Sequence, residues 1–305
     1  MKRIIKFNII ALILLASSTA LSQELSQFTQ YMFNTITINP AYAGSRETLS
    51  LVGLHRSQWV GIDGAPKTQT FSIHSPMRNE KVGLGLSFVN DKLGFENFSY
   101  LYADFSYTIQ TSRQTKLAFG LKGGFTSYSI DQELRDAEPN DTAIYGIDDR
   151  WSPNIGMGLF LHTNLWYIGF SAPRILYNDS KGSENFAALE KISYYFTGGV
   201  VMDINTDIKF KPSFLIKATT GAPLSYDFTA NFLFNEKLWL GAAYRVNESV
   251  GAFAAITNFQ VSKSLKIGYG YEHLVSDKTI SKGTHEVFLM FEVFRNKRIE
   301  SSRYF

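Results

Sequence analysis

Tyr100-Leu101-Tyr102-Ala103-Asp104-Phe105-Ser106-Tyr107-Thr108-Ile109 alternates between two kinds of side chain along its length. Leu101, Ala103, Phe105, Tyr107 and Ile109 fall on one face, while Tyr100, Asp104, Ser106 and Thr108 fall on the other. This is the period of a β-strand with one face in an apolar medium. The same pattern recurs on either side. Val82, Leu84, Leu86 and Phe88 oppose Gly83, Gly85 and Ser87, and Leu117, Phe119 and Leu121 oppose Lys116, Lys122 and four small residues. Further on, Leu224, Tyr226, Phe228, Phe232 and Phe234 oppose Ser225, Asp227, Thr229 and Asn231. Alternation alone leaves open whether the apolar face looks into a soluble core or out to lipid.

Length and connection pattern narrow that choice. Strand-like runs fall at 48–58, 67–75, 80–90, 98–109, 115–129, 153–162, 164–173, 192–203, 206–218, 224–234, 238–247, 250–261, 264–274 and 284–294, which is 14 segments. Each is about 10 residues, the length a tilted membrane strand needs. Tight connections at 110–113, 162–163, 205, 235–237 and 262–263 intervene between longer ones that include 130–152, 174–191 and 275–283. Outer-membrane barrels have short periplasmic turns and longer outer loops, and an even strand count returns the chain to its starting side. The reading is therefore all-β: a 14-stranded antiparallel transmembrane β-barrel with both termini periplasmic. Aromatic residues make up 15% of the chain, 25 Phe, 16 Tyr and 4 Trp, as befits a barrel with aromatic girdles. Trp59 and Trp151 fall at the outer rim and Trp166 and Trp239 at the inner one, although parity points Trp239 into the lumen.

The start of the chain reads as an export signal. Lys2, Arg3 and Lys6 precede the apolar run Ile9–Ala16, which is too short to span a bilayer, and Ala20-Leu21-Ser22 offers a cleavage site. The expected organisation is a signal peptide over 1–22, an N-terminal periplasmic or plug segment over 23–47, and the barrel over 48–305. Removing the signal takes three cations from a net charge of +3 and leaves about zero, which gives no reason to invoke nucleic acid. The chain has no cysteine, so an exported protein of this sequence needs a source of stability other than disulfides, and a large closed sheet is one.

Two groups of charge stand out. The register set by the turn at 235–237 puts Asp227 opposite Arg245, with Lys217 a diagonal neighbour, which predicts a Lys217–Asp227–Arg245 cluster in the lumen. Such a cluster suits a polar barrel interior, pore selectivity or the binding of a plug. The connection 130–152 carries a net charge of −5, including Asp136, Glu138, Asp141, Asp148 and Asp149. A solvated outer loop, contact with a surface partner, or calcium binding without EF-hand spacing would each use these carboxylates. The five histidines lack metal-ligand spacing, and neither Gly83-x-Gly85 nor Gly268-x-Gly270 is a phosphate loop. Neither catalysis nor a metal is expected, and His285-Glu286 at the head of the last strand reads as serving turn and register.

Seven stretches together carry a resemblance. They are Gln27-Phe28-Thr29-Gln30-Tyr31-Met32-Phe33-Asn34, Ile38-Asn39-Pro40-Ala41-Tyr42-Ala43-Gly44-Ser45, Trp166–Pro173, Phe210–Lys217, Leu240–Arg245, Gly283–Val287 and Arg303-Tyr304-Phe305. Over the whole mature chain they resemble the PorP/SprF family of type IX secretion outer-membrane proteins. The motif positions are Gln30, Tyr31, Asn34, Asn39, Pro40, Ala41, Gly44, Pro212, Ser213, His285 and Glu286. The resemblance implies a non-enzymatic 14-stranded barrel with no cofactor. It also implies a partner: a secreted surface protein, for example a gliding adhesin, exported or anchored through its C-terminal domain. A PorP-like component linking the secretion machinery to periplasmic proteins is the alternative within the family, and a passive porin is the alternative outside it.

Overall fold

The computed structural model describes residues 27–131, 134, 150–176, 191–247, 250–274, 282–294 and 304. The expected signal peptide and the acidic positions Asp136, Glu138, Asp141, Asp148 and Asp149 lie outside these residues.

Fourteen strands follow one another around a single sheet. They are β1 (Leu49–Ser57), β2 (Lys67–Pro76), β3 (Val82–Leu93), β4 (Glu96–Gln110), β5 (Lys116–Ile130), β6 (Arg150–His162) and β7 (Trp166–Ala172), then β8 (Ser193–Val200, resuming as Met202–Asp203), β9 (Ile208–Thr219), β10 (Ser225–Phe234), β11 (Leu238–Asn247), β12 (Val250–Gln260), β13 (Leu265–Leu274) and β14 (Thr284–Val293). Each pairs antiparallel with its neighbours in sequence, and β14 pairs back onto β1 from Leu49↔Val293 to Ser57↔His285. The sheet is thereby closed and has no free edge. The break in β8 has a local cause. It sits beside Pro212 of β9, which has no N–H to give a neighbouring strand.

The expected strand count holds, and the boundaries agree to within a few residues. The largest difference is at β3, which runs on past Asn90 to Leu93 and pairs Leu93 with Glu96. Gly94, at φ +58°, makes this two-residue turn possible. The connections at one end are all short, at 77–81, 111–115, 163–165, 204–207, 235–237 and 261–264. The other end holds the longer connections 58–66, 131–149, 173–192 and 275–283 but also the two-residue turn at 94–95, so it is mixed rather than uniformly long. Asn235 and Glu236 both take positive φ at the centre of the three-residue connection, which the Lys237 N–H closes by donating to the Phe234 carbonyl at 3.0 Å.

The orientation of the faces decides the solvent. Leu84, Leu86, Phe105, Leu121, Phe125 and Phe228 point outward and are 43–61% exposed. Arg56, Asp104, Lys122, Lys211, Asp227 and Glu286 point inward and are buried. An apolar outside around a charged inside is the inverse of a soluble barrel and suits a wall embedded in lipid.

The inward residues are buried because the chain itself fills the lumen. Residues 27–48 form three single-turn 3₁₀ helices, Tyr31–Phe33, Thr35–Thr37 and Pro40–Tyr42, and nearly every residue among them is buried. The third is defined by sequence: Asn39 caps it by accepting from the Ala41 N–H at 3.0 Å, and Pro40 stands at its first position. Gln27 lies beside Ser225 and Asp227 at the long-loop end, whereas Thr48 enters β1 at the short-turn end. The segment thus threads the barrel lengthwise. Gln27 and Val293, at the end of β14, therefore lie at opposite ends of the barrel, while residues 1–26, on which the expectation about the amino terminus falls, lie outside the described residues. Strand parity fixes where β1 starts, but it is silent on a segment that runs back through the lumen.

Candidate functional site

The interior that grips this thread is the candidate site. At its upper level, by the long loops, Glu286 accepts both the Thr29 N–H (3.0 Å) and the Gln30 N–H (2.8 Å). Arg56 stands opposite Glu286 across the closing seam and reaches it at 3.2 Å. Arg56 also bonds Glu272 at 3.0 Å and the Thr29 hydroxyl oxygen at 2.9 Å, and that hydroxyl donates to Glu272 at 2.8 Å. Arg245 then spans Glu272 (3.2 Å) and Asp227 (2.7 Å), and the Gln27 amide donates to Asp227. The result is a continuous ladder, Asp227–Arg245–Glu272–Arg56–Glu286, lying along residues 27–30. A buried charge is costly unless it is paired and hydrogen-bonded, and each rung here has both. Lys217 is fully buried on the same face, opposite Ser225 and hence diagonal to Asp227.

The middle level is a close fit. A Cβ added at Gly120 would fall 2.0 Å from the Ala41 nitrogen, one at Gly83 2.1 Å from the Ala43 carbonyl oxygen, and one at Gly158 2.1 Å from Asn39 Oδ1. These wall positions have no room for a side chain because the thread occupies it. Polar contacts fix its height. Asn34 donates to Thr70 at 2.9 Å and accepts from Ser72 at 2.7 Å, and the Asn39 amide donates to the Leu159 carbonyl at 3.0 Å. Ser106 and Ser171 donate to the Ala43 and Ile38 carbonyls at 2.6 and 2.7 Å. Lys122 pairs with Asp104 at 2.8 Å and donates to the Ile36 carbonyl at 3.2 Å. Tyr31, Met32 and Phe33 pack against Val52, Leu54, Phe288 and Met290, with the Phe33 and Phe288 rings stacked at 4.8 Å. The Tyr31 hydroxyl faces Ser213 and Thr229.

At the short-turn end, Arg46 pairs with Glu292 at 2.7 Å and Glu47 pairs with Lys116. Gly44, at φ +76°, lets the chain turn so that its N–H donates to His74 Nδ1 at 3.1 Å. Tyr304 folds back beneath the lumen. Its carbonyl accepts from Lys211, its ring lies 5.5 Å from Lys209 Nζ, and its hydroxyl donates to Glu236 at 2.9 Å. Burial and the Glu236 contact push its phenol up to about 12.

The residues 20–291 match the family described as type IX secretion system membrane protein PorP/SprF. The chain belongs to the PorP/SprF family. It is an outer-membrane, multi-pass β-barrel of type IX secretion. No curated protein matches it. Solved barrels to which it is similar include the CymD monoaromatic hydrocarbon channel (12% identity, TM-score 0.49, 88% of this chain and 92% of that one). Others are the Acinetobacter baumannii outer membrane protein Omp33 (10%, 0.43, 81% and 100%) and KdgM porin (10%, 0.39, 80% and 99%).

In this PorP/SprF chain most of the motif positions meet at one interface. Gln30, Tyr31, Asn34, Asn39, Pro40, Ala41 and Gly44 lie on the thread, and Ser213 and Glu286 on the wall it touches. Pro212 stands beside the β8 break. His285 faces the other way and bonds Tyr269 at 2.7 Å, so the adjacent pair His285-Glu286 serves two different faces. Glu286 does more than set register, since it holds the thread. Sequence reasoning did not reach Arg56, Glu272, Thr29 or the glycine seats. Inward-facing glycines at mid-height were the available signal.

Proposed function

We propose that this PorP/SprF barrel is a fixed outer-membrane mount for a secreted surface protein, aiding its export or holding it at the surface by its C-terminal domain. The observation that supports this over a passive porin is the thread. Residues 27–48 fill the lumen and are bonded to its wall at every level. In this reading 1–22 is a removed signal peptide, 23–47 a resident plug and 48–305 the barrel, with the short turns periplasmic. A barrel stopped by its own chain leaves its loops and ends as the working surfaces. The long connections 131–149 and 173–192 are the natural grips for a partner. Contact with other secretion components or periplasmic proteins would then fall to the short-turn end, where Tyr304 is docked.

The test is purification from native membranes combined with deletion of the chain. Co-purification of a large surface protein, and loss of its display on deletion, is the expected result. Unchanged display of every protein bearing the secretion C-terminal domain overturns the reading.

A further inference from the structure

We propose that the amino-terminal end of the mature chain leaves the barrel on the side of the long loops, opposite the carboxyl end of β14, having passed through the lumen. On the orientation given under Proposed function, that side is the cell surface, and the amino terminus then belongs to the face that meets the secreted partner rather than to the periplasmic side. The argument is one of heights. Strand β1 begins at the short-turn end, where Thr48 donates to the Val293 carbonyl at 2.5 Å and Arg46 holds Glu292. Going back along the chain, Gly44 meets His74, Asn39 meets Leu159, Asn34 meets Thr70 and Thr29 meets Glu286, each nearer the other end. Gln27 is held by Asp227 and Ser225, the latter at the first position of β10 beside the connection 220–224. For the chain to turn back, it would have to re-enter a lumen already filled by its own next residues. The glycine seats at Gly83, Gly120 and Gly158 leave no space even for a methyl group beside the thread.

The chain has no natural cysteine, so single introduced thiols report sidedness directly. Three full-length variants would be labelled in intact cells with a membrane-impermeant maleimide: Ser26→Cys just before the thread, Asp63→Cys at the long-loop end, and Lys263→Cys in a short turn. Assembly is checked by heat-modifiable mobility, and Leu25→Cys replaces Ser26→Cys where that variant assembles poorly. The expected result is full labelling of Ser26→Cys and Asp63→Cys in intact cells, with Lys263→Cys labelled only after the outer membrane is permeabilised. Labelling of Ser26→Cys together with Lys263→Cys, or only after denaturation, overturns the proposal. If Lys263→Cys labels in intact cells while the other two do not, the orientation of the barrel is reversed. The passage of the thread through it still stands.

Discussion

Glu286 concentrates the argument at the scale of a residue. Its carboxylate accepts two thread amides and pairs with Arg56, all in burial. Glu286→Ala leaves two amides unpaired and takes one of the two carboxylates from Arg56, so a loss of about 3–5 kcal/mol is expected, the cost of breaking a buried pair. The urea midpoint of the heat-modifiable form measures it, and an unchanged midpoint would remove Glu286 from the ladder. Gly120→Ala is expected to cost about 1–3 kcal/mol by overpacking against Ala41. Gly53→Ala, at a site with nothing within 4 Å, should stay within ~0.5 kcal/mol. Equal shifts in the two variants would mean that the thread does not use the glycine seats. Which rungs of the ladder were legible in the sequence follows from how each is built. Asp227 and Arg245 face each other across one hairpin whose turn sets the register. Arg56 and Glu286 are brought together by the closing seam, 230 residues apart in sequence, and no local pattern reports that pairing.

At the scale of elements, strands and thread differ in how much of their structure is written locally. A strand between lipid and lumen must alternate, so its existence, its face and nearly its length can be read from period two. Residues 27–48 have no such period. Short-range backbone bonds close its turns, from Phe33 to Gln30 and on to Glu47 with Gly44, but its course along the lumen follows the wall around it. The sequence reads it only as a periplasmic or plug segment, while its passage through the whole lumen depends on long-range contacts. Deleting residues 27–44 would expose Arg56, Lys122, Lys211 and Glu286 to water and empty the glycine seats. The expected outcome is either failure to assemble or an assembled barrel with steady ion conductance. An assembled variant with wild-type stability and no conductance would show that the thread neither supports nor seals the wall.

For the whole molecule, the apolar outward face and the closed strand order make a barrel sized for a water channel, since widths well above eight strands need something to occupy the interior. This chain supplies the occupant itself. The proposed role as a mount rests on that closure, and its most direct test is electrical. Purified wild-type protein, inserted in a planar bilayer and verified as assembled, should show no steady conductance. A stable, open conductance from the unaltered chain would contradict the account.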